Sequence, residues 1–284
     1  MSPAPAETAA AETAPEKPGA RDNIIKVRGL VVGFGETLVI NGADLDVWRG
    51  QVLGIVGPSG GGKSVLMRTI LGLIAKRAGS IEVFGQDIDT LTRPERERQE
   101  RRWGVLFQQG ALFSGLTVRQ NVEAPMREYL KLAPGTRADI ALMKLDLVGL
   151  PRSAADKVPA ELSGGMIKRA ALARALALEP EIVFLDEPTS GLDPISAGEF
   201  DDLIATLQKT LGVTVFMVTH DLDSLYSICD SVAALAGGRV IATGTVAELR
   251  ASDDPWLVKY FRGKRGRLRG GRRGAGAPAA PAAG

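Results

Sequence analysis

Gly57-Pro58-Ser59-Gly60-Gly61-Gly62-Lys63-Ser64 follows the apolar run Val52–Val56 and opens a helical pattern, Gly62–Ile74. The stretch fits G-x-x-x-x-G-K-[ST]. A strand before it and a helix after it are the context in which that spacing forms a phosphate-binding loop. The glycines let the backbone curl so that successive N–H groups point inward around phosphate oxygens. The helix start adds the positive end of its dipole. Lys63 is suited to reach the β- and γ-phosphates and Ser64 to ligate Mg²⁺, with Val65 the next residue of the nucleotide-binding stretch. The bland alternative, a Gly-rich turn with a surface lysine, does not account for the flanking strand and helix.

Around this loop the chain alternates strands with helices. Ile24–Val32, Val39–Val47, Ser80–Phe84, Gly104–Phe107, Ile182–Leu185 and Val213–Thr219 read as strands. Pro94–Arg102, Val118–Leu130, Arg137–Val148, Gly164–Ala177, Pro194–Leu211 and Leu222–Cys229 read as helices, and a hairpin turns at Ala236–Arg239. The alternation predicts an α/β domain with a parallel sheet, spanning residues 23–250. Three successive helices without a strand predict a helical subdomain over about 110–178. Residues 1–22, rich in Ala, Pro, Glu and Thr, and 263–284, rich in Gly, Arg, Pro and Ala, read as disordered tails.

The second half of a nucleotide site lies far downstream. Ile182-Val-Phe-Leu-Asp186-Glu187 is an apolar strand ending in two carboxylates. Asp186 is suited to hold Mg²⁺ through water, and Glu187 to polarise an attacking water. His220 follows the next strand, so it emerges at the same carboxyl edge, where ligands bind in open α/β sheets. It is the chain's one histidine; multi-His metal sites are thereby excluded, and the position points to a γ-phosphate contact. Gln108, after Gly104–Phe107, can ligate Mg²⁺ or water without adding charge, although the adjacent Gln109 fits the pattern equally. The single cysteine, Cys229, excludes an internal disulfide framework.

Leu162-Ser163-Gly164-Gly165-Met166 precedes another helix: Ser163 can cap it, and the glycines leave its first amides open to an anion. With these residues the chain, over roughly 24–250, resembles the ATP-binding subunit of ABC transporters. The resemblance comprises Walker A (57–64), the glutamine loop at Gln108, the signature 162–166, Walker B (182–187), the D-loop Ser190-Gly-Leu-Asp193 and the switch His220. It implies the P-loop NTPase fold of an ABC nucleotide-binding domain: a RecA-like parallel-sheet core, an antiparallel β subdomain and a helical signature subdomain. It implies an ATPase in which Lys63, Gln108, Glu187 and His220 are catalytic. Ser64, Gln108 and Asp186 would hold Mg²⁺, and Asp193 and Ser163–Met166 would join the P-loop at ATP. Two such domains would dimerise head to tail, the P-loop of one and Ser163–Gly165 of the other clamping each nucleotide. Phe34 matches the aromatic that stacks on adenine in this family, a core phenylalanine being the alternative. Met166 departs from the family's usual glutamine.

No apolar run approaches membrane-span length and no secretory leader is visible, so the expectation is a peripheral subunit at the cytoplasmic face of the inner membrane. Gly110-Ala-Leu-Phe113, the Met166 variant, Met143-Lys-Leu and Leu192-Asp-Pro-Ile195 resemble the MlaF branch of lipid-transport ATPases and its Mce-associated relatives. That branch implies an MlaE-type permease, an MCE-domain lipid-binding protein and, in Mla systems, a STAS-domain protein. Another ABC importer or exporter, or a permease-free ATPase acting on nucleic acid or ribosomes, remains the alternative. The formal net charge of +2 hides an asymmetry: residues 255–284 carry +8, leaving −6 on 1–254. The basic tail suits a solvated end, the anionic leaflet or a protein partner. Residues 251–262, with Trp256, Tyr260 and Phe261, read as a docking segment. Nothing resembles a base-reading motif.

Overall fold

The computed structural model describes residues 22–262; the predicted tail 263–284 lies outside them, as does the predicted tail 1–22 apart from Asp22, which pairs with Arg49. Two sheets form the framework. The long strands β1 (Asn23–Phe34) and β2 (Thr37–Trp48) pair antiparallel, and β4 (Ala78–Val83) and β5 (Gln86–Asp87) extend them into a sheet of order β2-β1-β4-β5. The second sheet has the order β10-β9-β3-β8-β7-β6. It comprises β3 (Val52–Val56), β6 (Trp103–Leu106), β7 (Ile182–Asp186), β8 (Thr214–Val218), β9 (Ser231–Ala236) and β10 (Arg239–Gly244), all parallel except the terminal hairpin.

The central strands are apolar at nearly every position because both faces are covered. Phe184 and Phe216 face the antiparallel sheet and α1 (Lys63–Ile70), whereas Val183, Leu185, Val215 and Met217 face the helical side. The helical side holds α3 (Val118–Tyr129), α4 (Pro134–Leu147) and α5 (Gly164–Ala175), packed on one another, with α5 also against β6. α2 (Arg93–Glu100) starts at a Thr92–Glu95 capping box, as a Thr-x-x-Glu spacing should.

One expectation is corrected here. α1 stops at Ile70 rather than Ile74: Gly72 takes φ +72°, and its N–H and that of Leu73 close back on Thr69 and Arg68 carbonyls, a glycine C-terminal stop. The segment 251–262 docks on its own chain. Its helix α9 (Pro255–Arg262) buries Leu257 and Phe261 completely, in a cluster with Val56, Val232 and residues of α7 (Leu222–Ile228) and α8 (Val246–Ala251). Those apolar side chains are therefore consumed within the chain.

α6 (Pro194–Leu211) meets α7 through a buried polar pair. Ser224 Oγ donates to Asp201 Oδ2 at 2.7 Å, while Asp201 Oδ1 is buried with no partner among the described residues. Burial, opposed by the Ser224 hydrogen bond and helped by Asp221, pushes the Asp201 carboxyl up to about 6. A raised acid favours the folded state in its protonated form, so this contribution is present at low pH and lost as pH rises to about 6. Asp201→Asn removes that loss. It is expected to be more stable than the parent by roughly 1–3 kcal/mol at pH 7.5, the gap closing as pH falls toward about 4. Thermal unfolding across that range measures it; a gap independent of pH would contradict the assignment.

Candidate functional site

In-register parallel pairing levels the carboxyl ends of four adjacent strands. Ile55 and Asp186 both lie opposite Val218, and Leu106 lies opposite Leu185. The residues that leave these strands therefore meet at one edge: the P-loop after β3, Gln108 after β6, Asp186–Glu187 at β7 and His220 after β8.

The P-loop is shaped by close approaches. A Cβ on Gly57 would stand 2.3 Å from the Leu235 carbonyl oxygen of β9, so only glycine fits. Gly62 N-caps α1 at φ +94°, packed against Val39 of β2, which ties the loop to the antiparallel sheet. No acidic residue occupies the first turn of α1, which leaves its positive end for an anion. Lys63 Nζ donates to the Gly57 and Pro58 carbonyls at 3.0 and 3.1 Å, holding the ammonium over the loop. Partial burial lowers the Lys63 pKa, and the Glu187 and Asp186 charges oppose that. Pro58, Ser59 and Gly60 are exposed.

Ser64 Oγ donates to Asp186 Oδ1 at 2.9 Å, joining the P-loop helix to β7. Asp186 is buried, with Arg68 3.9 Å from its other oxygen. A hydroxyl and a carboxylate side by side are hard oxygen donors that suit Mg²⁺, which keeps several other ligands from phosphate and water. Among the described residues no group of three or more His, Cys, Asp or Glu could hold a metal by itself, so phosphate oxygens would have to complete the shell.

Glu187 lies one residue on, at φ +50°. A non-glycine in the left-handed region costs about 1–3 kcal/mol and persists only where its surroundings impose it. Here the Glu187 N–H donates to the Val218 carbonyl at 2.8 Å, and its own carbonyl accepts from Ser190 N at 3.2 Å and Lys168 Nζ at 3.1 Å. The imposed backbone aims the carboxylate at His220, whose Nδ1 is 2.5 Å from Glu187 Oε2. The His220 side chain is 64% exposed, so the pair opens to solvent.

The remaining sequence-derived positions divide. Gln108 and Gln109 are both exposed; the Gln108 carbonyl accepts from Lys168 Nζ. Phe34 is 54% exposed at the end of β1, which removes the core alternative and leaves a ring face available for stacking. Ser163 N-caps α5, its Oγ accepting from Met166 N at 3.3 Å. Gly164 and Gly165 leave the helix start uncovered, with nothing within 4 Å of a Cβ placed on Gly165. Met166 packs partly into the helical core, a contact glutamine would serve less well. Asp193 N-caps α6, accepting from the N–H groups of Ile195 and Ser196 and from Ser196 Oγ, and these bonds lower its pKa. Sequence reasoning missed Lys168, whose burial has no composition signal.

An ABC transporter family model matches residues 40–190. The intermembrane phospholipid transport system ATP-binding protein MlaF of Haemophilus influenzae is 41% identical over 85% of this chain and 91% of its own length. MlaF of Escherichia coli K12 is 40% identical over 85% and 89%. Among solved structures, a dimeric post-hydrolysis ATP-binding cassette bound to ADP and Pi superposes with a TM-score of 0.71. It is 29% identical and covers 78% of this chain and 98% of its own.

Gly57→Ala is expected to displace the P-loop from β9 and weaken ATP binding at least about tenfold, because overpacking against backbone costs roughly 1–3 kcal/mol. Equilibrium titration with a fluorescent ATP analogue checks this; unchanged affinity would contradict the close approach.

Proposed function

Because this chain belongs to the ABC transporter family, we propose that its ATP hydrolysis drives phospholipid movement between two membranes. The observation that carries the hydrolytic half is the meeting of Ser64 with Asp186 and of His220 with Glu187 at one sheet edge. The observation that supports the lipid half is the 41% identity to a phospholipid-transport ATP-binding protein over most of both chains.

The geometry supports the following roles. The P-loop amides of residues 57–65 and Lys63 hold the β- and γ-phosphates of ATP, and Phe34 stacks on adenine. Ser64 and Asp186, with Gln108, would hold Mg²⁺, which would neutralise charge developing on the phosphate oxygens. Glu187 accepts hydrogen bonds from the attacking water and takes its proton. His220, hydrogen-bonded to Glu187, contacts the γ-phosphate and keeps that carboxylate turned toward it. This is orientation and charge stabilisation rather than covalent catalysis, as phosphoryl transfer requires.

Ser163–Met166 serve a second copy. The open start of α5 presents amides to the γ-phosphate held by the partner's P-loop, and Asp193 fixes the D-loop between the two. A head-to-tail homodimer with two shared sites results. No helix among the described residues is long and apolar enough to cross a membrane, so transport needs other subunits. An apolar groove lined by Leu73, Trp103, Phe107, Phe113, Pro125 and Tyr129 suits a short helix from an MlaE-type permease. Leu73 and Phe113 are more than half exposed there. The complex would sit at the cytoplasmic face of the inner membrane with an MCE-domain lipid-binding protein and a STAS-domain protein.

Glu187→Gln keeps the shape and removes the base. ATP hydrolysis is expected to fall at least about 100-fold with ATP binding retained and a nucleotide-stabilised dimer on size-exclusion light scattering. Normal turnover in that variant removes Glu187 from its role. Gly165→Ala meets no atom of its own chain, so its unfolding free energy should match the parent within about 0.5 kcal/mol while hydrolysis falls. Unimpaired hydrolysis would contradict the shared site. For the lipid half, affinity purification from native membranes should recover a hydrophobic subunit and phospholipid; recovery with neither overturns it.

A further inference from the structure

A cation is buried where the established roles do not use one. Lys168, on α5, is 5% exposed. Its Nζ donates to the backbone carbonyl of Gln108 and, at 3.1 Å, to that of Glu187. The two acceptors leave different strands, β6 and β7, and neither belongs to the helical side that carries the lysine. Burial lowers the Lys168 pKa, and the Asp186 and Glu187 charges hold it up. A buried ammonium is costly unless its donors are used, and here they are spent on two carbonyls, not on an acidic side chain.

We infer that Lys168 is a positioning residue for hydrolysis: its ammonium fixes the carbonyls of Gln108 and Glu187 to α5, and so couples the signature helix to the glutamine loop and the reacting carboxylate. This rests on the reading of Glu187 as the water-orienting base. The Glu187 carbonyl direction and its left-handed φ of +50° are one conformation. Releasing the carbonyl lets the residue relax toward right-handed φ, which swings the side chain away from His220. The loop is held at a second point: Arg174, also on α5, donates to the Gly110 and Ala111 carbonyls at 2.7 and 2.6 Å. α5 thus grips the 108–111 segment along its length, but only Lys168 reaches Glu187 as well. Lys168 lies three residues after Gly165, about one helical turn. A shift of the helix start on meeting nucleotide is carried rigidly to both carbonyls. Arginine and glutamine can each donate twice from this position; methionine fills the space and donates nothing.

The test uses the full-length chain with ATP and Mg²⁺. Lys168→Met is expected to lower kcat by about 10- to 100-fold, the loss of charged hydrogen bonds, with ATP affinity within about threefold of the parent. Lys168→Arg is expected to restore most of kcat. If the methionine variant fails to fold, Lys168→Gln replaces it, with kcat expected between the parent and the loss stated for methionine. Hydrogen exchange supplies a readout independent of catalysis: the Gly110 and Ser190 amides, which donate to Phe107 and Glu187 carbonyls, should exchange faster when Lys168 is replaced by Met, and by a smaller factor when it is replaced by Gln. An unchanged kcat, an arginine variant as impaired as the methionine one, or unchanged exchange at both amides overturns the proposal. Turnover surviving in Glu187→Gln overturns instead the reading of the site, and the exchange result separates the two failures.

Discussion

Everything at the site depends on the register of the parallel strands. Hydrogen bonding between β3, β8 and β7 sets Ile55, Val218 and Asp186 at one level. Slipping any strand by two residues would keep its faces correct and move its last residue by about 7 Å. Ser64 and Asp186 could not then meet at 2.9 Å, nor His220 and Glu187 at 2.5 Å. The apolar faces guard against slippage by one residue, since Phe184 and Phe216 would exchange places with Val183 and Val215. Guarding against slippage by two falls to shape: Gly57 against the Leu235 carbonyl and Gly104 against the Ala175 carbonyl admit no side chain. The glycines that close the sheet to its neighbours are therefore part of what aligns the chemistry.

The order of elements and most of the site were legible from residue pattern because their signals are local. A Gly-rich loop between an apolar run and a helix, an apolar run ending in Asp186–Glu187, and Ser163 before a helix each carry their meaning within a few residues. α6 runs from Pro194 to Leu211 as its Asp193 cap and Gly212 stop predict. What failed was non-local or overridden. The helical pattern read through Ile74 extended α1 past a glycine that ends it. Trp256, Tyr260 and Phe261 announced a docking segment, but composition could not say that its surface was α7 and β9 of the same chain.

Lys168 marks the same boundary from the other side. In sequence it sits beside Arg169 on an alanine-rich helix, with Ala171 and Ala175 on its own face, and nothing in the pattern marks it as buried. Its neighbours are carbonyls 60 and 19 residues away. Backbone acceptors have no sequence identity, so no pattern of residue types can announce them. Arg169 beside it pairs with Glu199 of α6 and donates to the Val148 carbonyl. Two adjacent cations thus tie α5 to different neighbours.

The distribution of strain gives these ties a mechanical sense. The left-handed non-glycine residues include Glu187 and Ala111, the two turns that α5 grips with Lys168 and Arg174. Strained turns relax unless held, and holding them from a helix outside the parallel sheet makes their geometry conditional on where that helix stands. The helical side packs on β6 at the sheet's edge, with α5 at the contact. A rigid-body adjustment of that side would change the grip before it disturbed Ser64 and Asp186, which lie on the central strands. With the proposed roles, the orientation of Glu187 thus depends on where α5 stands, whereas the Ser64–Asp186 pair does not.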